Sequence, residues 1–320
     1  MRGNYLRFWG VRGSYPAPFR THLRTGGNTS CVEVRIASHV VVCDAGTGII
    51  PLGRDLMAQH SIREVTILLT HYHWDHISGL PFFEPAFTPG WKINFFGPGQ
   101  SKAEIEERIA EQMKAPYFPV ETETWLADIE YLAAPDGRLQ YGPIRVERFY
   151  VHHPGSTYGY RIQAGAKTIV YASDNELAFI NRSIDERKAE FDEPEQRLLE
   201  EMKEEENQRS IEFMRGVDIL IHDAQYTPRD YARKRGWGHS CYIDTVHAAM
   251  AAEVKCLLLF HLDPAYSDRI VDQLYRHSQA IIKARQHRLV CDVAREGKLI
   301  HLDRGRLTLP SIGWCALDGA

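Results

Sequence analysis

Thr70-His71-Tyr72-His73-Trp74-Asp75-His76 crowds three imidazoles and a carboxylate into six positions, directly after the apolar run 65–70. Core packing does not explain such a run. Histidines at i and i+2 on a strand end point to the same side, and the Asp and His that follow can turn back toward them at the start of a helix. The stretch therefore offers two adjacent ligand sets. A merely polar loop would leave this many nitrogen and oxygen atoms competing for few partners. Even so, the cluster alone does not saturate two ions, and further ligands must come from elsewhere.

Other apolar runs end in the same way. His152-His153-Pro154-Gly155 follows 144–151, Asp174 follows 168–172, His222-Asp223 follows 217–221 and His261 follows 257–260. Any one of these ends reads as readily as a turn or helix cap. Four of them beside the cluster read as parts of one site.

Around these stations the chain alternates short strands with helices. Runs 5–9, 31–37 (with Val32, Val34 and Ile36 alternating) and 39–43 predict a sheet wound by glycine-rich turns. Strands at 65–70 and 92–96 precede a helix at 101–113. The second half gives strands at 144–151, 158–163, 168–172, 217–221 and 257–260, with helices at 227–234, 242–252 and 267–284. Sheet first and helix after, in both halves, predicts two β-sheets face to face with helices on the outer sides. No Pro/Gly/Ser linker separates the halves, so residues 1–320 are expected to form a single domain with an acidic helical insertion at about 184–215. Within it, residues 185–206 hold eleven acidic and four basic residues, with Leu198, Leu199 and Met202 at helical spacing. A solvated amphipathic helix packed on the body, a lid and a dimer contact all remain open for this segment.

Composition narrows the partners. The 320-residue chain is 44% hydrophobic and 25% charged, with a net charge of −4 that gives no bulk attraction for nucleic acid or an anionic membrane. Six cysteines lie far apart with no Cys-x-x-Cys pair, which points to idle thiols in a reducing compartment. No leader-like h-region and no apolar stretch of about 18 residues occurs, so the cytoplasm is the expected location.

The pattern His71-x-His73-x-Asp75-His76 resembles the signature of the metallo-β-lactamase superfamily, and the later stations follow in that family's order from about Phe8 to Pro264. The resemblance implies an α+β fold, a four-layer αββα sandwich with the site at one edge of the sheets. It places the third station at His153 rather than His152. It also implies two divalent metal ions but not their identity; zinc is the expected ion, with manganese or iron as alternatives. One ion would take His71, His73 and His153, the other Asp75, His76 and His261, with Asp174 spanning them. Glycine-bearing loops 26–30 and 44–48 resemble early family loops around the site, although tight turns explain their glycines equally well.

Ile221-His222-Asp223-Ala224-Gln225 and Gly238-His239-Ser240 resemble motifs of the phosphodiesterase branch, known from tRNase Z and class-II cyclic-nucleotide phosphodiesterases. Asp223 stands where that branch has glutamate, and Cys241 where it has threonine. A histidine outside the metal shell can touch the phosphate or protonate the leaving oxygen when a carboxylate fixes its tautomer. His239 and Asp223 are that candidate pair, unless His239 only orders its glycine-rich loop. The expected chemistry is attack by a metal-bridging hydroxide on a small phosphodiester, such as a cyclic nucleotide or cyclic phosphate, with Asp75 orienting the nucleophile.

A tRNA 3′-end endonuclease is the alternative, but the acidic insertion would repel a phosphate backbone, so nucleic acid is not the expected partner. A thioester or lactam hydrolase on the same fold would leave Asp223 and His239 without a task. A metal-stabilised scaffold is disfavoured by the intact ligand set. A homodimer is a further expectation, through apolar helix faces. Trp74 and Tyr226 read as base-pocket candidates or, more simply, as core aromatics.

Overall fold

The structure, a computed structural model, describes residues 3–134, 136–177, 184–185 and 188–303. Two seven-stranded sheets form among these residues. The first holds β1 (Tyr5–Gly10), β2 (Cys31–Ile36), β3 (His39–Cys43), β4 (Glu64–Leu68), β5 (Lys92–Phe96) and β6 (Asp128–Leu132), in that order. The second runs from β7 (Arg138–Tyr141) through β8 (Ile144–Tyr150), β9 (Tyr158–Ala164), β10 (Lys167–Ala172), β11 (Ile219–Asp223) and β12 (Cys256–Phe260) to β13 (Val290–Val293). The chain then recrosses, and β14 (Leu299–His301) pairs antiparallel with β1, Tyr5 opposite His301.

Period-two alternation decides which side of each strand faces which layer. In β12, Cys256, Leu258 and Phe260 point into the core between the sheets, while Leu257 and Leu259 lie under the outer helices. In β3, Val41 and Cys43 face inward, and Val40 and Val42 face the opposite helix layer. Each fully buried side chain of this kind stabilises the fold by roughly 1.5–3 kcal/mol. Such strands are apolar on both faces, as the continuous runs at 65–70 and 257–260 predicted.

Helices complete the layers. α1 (Ile49–Met57) and α3 (Lys102–Glu111) cover the first sheet, and between them lies the single turn α2 (Trp74–Ile77). Ser101 caps α3 by accepting from the Glu104 N–H. On the second sheet lie α6 (Tyr242–Ala251) and α7 (Asp268–Ala284), the latter burying Val271, Leu274, Ser278 and Ile282 along one stripe. α5 (Pro228–Lys234) starts at the Thr227 cap.

The acidic segment forms a helix that packs on the body toward its C-terminal end. α4 (Glu193–Met214) begins with a capping box between Asp192 and Glu195 and extends further toward the C-terminus than the acidic run itself. Leu198 and Met202 are exposed rather than packed on the body. The helix is anchored near its C-terminal end, where Phe213 stacks on Phe149 at 4.2 Å, and by Glu206, 2.6 Å from His152. Residues 186–187 of the expected insertion lie outside the described residues. So does Cys315, whereas Cys31, Cys43, Cys241, Cys256 and Cys291 are buried. No described helix is long and apolar enough to cross a membrane.

Parallel pairing sets the position of the site. β3, β4 and β5 run parallel in one sheet, and β10 to β13 in the other. Their carboxyl ends emerge at one edge of the sandwich, where side chains from both sheets meet.

Candidate metal centre

β4 ends at Leu68, and the chain passes through His71 and His73 into α2, which presents Asp75 and His76. The β8–β9 loop contributes His153, and β10, β11 and β12 are followed or closed by Asp174, Asp223 and His261. His71, His73 and His153 form one group of converging ligand atoms, and Asp75, His76, Asp174 and His261 a second. Asp174 divides its oxygens between them. Its Oδ2 lies 3.8 Å from His71 Nε2 and 3.7 Å from His153 Nε2. Its Oδ1 lies 3.1 Å from His76 Nε2 and 3.3 Å from His261 Nε2.

Histidine tautomers are set from outside the cluster. His76 Nδ1 donates to Asp44 Oδ2 at 2.8 Å, His153 Nδ1 to the Gly238 carbonyl at 2.9 Å and His261 Nδ1 to Gln225 Oε1 at 2.9 Å. His71 Nδ1 meets Thr70 Oγ1 at 3.0 Å, and that hydroxyl in turn donates to Asp44. Each of these four rings therefore turns an Nε2 lone pair toward the centre. His73 presents Nδ1 instead, 3.1 Å from His153 Nε2.

This arrangement fits metal ions. Nitrogens held 2.0–2.1 Å from one tetrahedral ion lie about 3.3 Å apart. His76 Nε2 is 3.2 Å from His261 Nε2, and Asp75 Oδ2 is 3.3 and 3.1 Å from the same two nitrogens. Lone pairs aimed at one another at this range repel unless a cation lies among them. Among the described residues, two buried atoms at the centre, His71 Nε2 and Asp174 Oδ1, have no hydrogen-bond partner of good geometry. Electrostatics agree: burial opposes a charge on His76, yet Asp174, Asp75 and Asp44 outweigh it and raise the His76 pKa well above its usual value. Burial likewise opposes ionisation of Asp174, but His261, His76 and His71 hold its pKa well below the ordinary carboxylate range. The donor set is nitrogen and oxygen throughout, and suits several divalent ions.

Beside this centre, His239 Nδ1 donates to Asp223 Oδ2 at 2.8 Å. Asp223, although shorter than glutamate, reaches because β11 carries it to the strand end, where the backbone N–H groups of Gln225, Ser240 and Asn175 also donate to it. Burial pushes the Asp223 pKa up and the His239 pKa down. The His239 ring stacks on His261 at 4.9 Å and lies 5.0 Å from His153. His222 faces away and bonds Asn175, and burial lowers its pKa to about 4. His152 also faces away, toward Glu206.

Two carboxylates escaped sequence reasoning. Asp44 is fully buried at φ +59, a left-handed conformation that is costly for a non-glycine residue. It receives bonds from Thr70, His76 and the Tyr171 hydroxyl, tying the two sheets together under the site. The signal lay in Asp44-Ala45-Gly46-Thr47-Gly48, where glycines drew attention away from the aspartate. Glu176 accepts from the Tyr231 hydroxyl at 2.8 Å and from the N–H groups of Gly236 and Gly238 at 2.9 and 2.8 Å. It thereby fixes the loop that carries His239 and the carbonyl bound by His153. Gly238 has φ +87, and a Cβ there would lie 2.2 Å from His153 Nδ1, so only glycine fits. Of the two aromatic candidates, Tyr226 is buried, whereas Trp74 is exposed rather than packed in a core.

Residues 39–193 match the family described as "Beta-lactamase superfamily domain". A ribonuclease Z of Latilactobacillus sakei subsp. sakei (strain 23K) is 26% identical over 256 residues, which cover 70% of this chain and 80% of that one. The metallo-beta-lactamase fold protein YhfI from Bacillus subtilis superposes with a TM-score of 0.62 at 18% identity, over 93% of this chain and 99% of its own. A diphosphatase from the PhnP family gives a TM-score of 0.58 at 18% identity, over 96% of this chain and 99% of its own. At such identities the two structures establish a shared fold, two mixed sheets flanked by helices.

Proposed function

We propose that this chain, whose residues 39–193 match the beta-lactamase superfamily domain and whose fold is shared with a metallo-beta-lactamase fold protein, is a metal-dependent hydrolase of that superfamily and, more narrowly, a dinuclear phosphodiesterase acting on a small phosphodiester such as a cyclic nucleotide or cyclic phosphate. The observation that carries the reading is the His239–Asp223 contact of 2.8 Å, set beside a carboxylate shared between two ligand groups. A lactam or thioester hydrolase has no need of that pair.

His71, His73 and His153 would hold one ion, Asp75, His76 and His261 the other, and Asp174 both. Two divalent ions there, zinc first with manganese or iron as alternatives, would supply Lewis acidity toward a phosphoryl oxygen and a water acidic enough to react at neutral pH. Asp75 turns Oδ2 toward His76, His261 and the Ser14 N–H, at 2.6 Å from the last, and its other oxygen orients the attacking water. Asp223 holds the proton of His239 on Nδ1, so Nε2 addresses the substrate. As the attacking water forms the new P–O bond and gives up a proton, His239, carrying a second proton on Nε2, delivers it to the departing oxygen while the old P–O bond breaks, so the proton count balances.

A second reading, tRNA 3′-end processing, is favoured by the similarity to a ribonuclease Z over most of the chain. Against it stands α4, an acidic helix tied to the site loop through His152 and Glu206, which would repel a polyanion.

The test is a metal-reconstituted assay on bis(p-nitrophenyl) phosphate, cyclic nucleotides, a thioester and a tRNA precursor, with Asp75→Ala and His239→Ala as comparisons. Diester turnover abolished by Asp75→Ala and weakened by His239→Ala supports the proposal. Turnover of the thioester alone overturns it and leaves only the metal hydrolase.

A further inference from the structure

Three exposed aromatic residues stand beside the centre, each next in sequence to a residue that touches or supplies a ligand. Trp74, 76% exposed, lies between His73 and Asp75. Trp237, 61% exposed, precedes Gly238, whose carbonyl binds His153. Tyr15, 52% exposed, follows Ser14, whose N–H binds Asp75. His73 is itself exposed while His71, His76 and His261 are buried, so the centre opens on the side where Trp74 stands. The remaining described tryptophans, Trp9, Trp91 and Trp125, are all buried.

Leaving two indoles in water at the mouth of a polar centre forgoes the burial that the fold gives its other tryptophans. No structural task among the described residues accounts for it: neither exposed ring stacks on another described aromatic ring, and Lys234, 5.9 Å from Trp237, is itself paired with Asp263 at 2.9 Å. A flat π-surface beside an anion-binding centre suits a ligand that is both flat and anionic.

We propose that Trp74 and Trp237, with Tyr15 at the rim, form the stacking platform for the nucleobase of a small nucleotide substrate. This rests on the phosphodiesterase reading and narrows it from cyclic phosphates in general to nucleotides. Indole faces accept the π-face of any base and contact none of its hydrogen-bonding edge, so the platform selects for a base without selecting which one.

The experiment compares 3′,5′-cyclic AMP with glycerol 1,2-cyclic phosphate, which has no base, on the metal-loaded enzyme. Trp74→Ala and Trp237→Ala are each expected to raise KM for cyclic AMP about 10-fold, with kcat little changed, the size of one base–aromatic stack. The preference for cyclic AMP over the base-free ester falls by the same factor, and Trp74→Phe and Trp237→Phe restore most of it. Independently of turnover, AMP quenches tryptophan emission of the wild-type protein, and the quench shrinks in each alanine variant. Equal losses on both esters, or emission unmoved by AMP, overturn the platform. Quenching by AMP in a protein that hydrolyses neither ester supports the platform and sinks the phosphodiesterase reading instead.

Discussion

The two ligand groups are built differently although they share Asp174. The group of His71, His73 and His153 is all imidazole apart from the shared carboxylate, and His73 opens it to solvent. The group of Asp75, His76 and His261 is buried, contains its own carboxylate and is braced from behind by Asp44, Gln225 and Ser14. On the proposed reading, burial and charge together would make the second group the tighter trap for a cation and the open group the one a substrate meets, and the shared carboxylate would couple a structural half to a working half.

The sharpest way to break this comparison is Asp174→Ala, which removes the shared ligand from both groups. Turnover of bis(p-nitrophenyl) phosphate is expected to fall by at least ~10³-fold, and metal analysis to show loss of more than one ion per chain. Retention of two ions would mean that the groups are independent. His239→Ala tests what lies beside them: kcat is expected to fall by about 10²-fold or more with metal content intact, and loss of metal would make His239 a ligand rather than an acid.

Asp44→Asn touches the brace of His76 in the buried half directly, and that of His71 in the open half only through Thr70. Affinity for the more tightly held ion should drop about 10–100-fold in a chelator titration, and an equal drop for both ions would show that the halves are not separately supported. Smallest is Glu176→Gln, which keeps the shape but removes the charge accepting the Gly236 and Gly238 N–H groups. A several-fold loss of kcat is expected, on the order of one weakened hydrogen bond of about 1 kcal/mol, read in the same diester assay. An unchanged rate would show that the Gly238 loop holds its own position.

A contrast between two kinds of information explains how much was legible. The stretch His71 to His76 is local: strand end, one turn of helix and four polar side chains follow from their own spacing, and each apolar strand announced its own two-faced burial. The later stations were legible as strand ends, but their convergence spans long separations, as in His76 meeting His261 across 185 residues. Strands β6, β7, β13 and β14 went unread because short, half-polar segments such as Arg138–Tyr141 gain their pairing only from neighbours.

What the chain's own sequence determined is the ligand chemistry and the layered order of strands and helices, because residue type and periodicity act over a few positions. Tertiary structure alone decided that His152 turns to Glu206, that Asp44 and Glu176 brace the site and that Trp74 stands in solvent. The reason is physical: a side chain's direction and its hydrogen-bond partner depend on which distant strand or loop packs beside it, and nothing in the neighbouring residues specifies that partner.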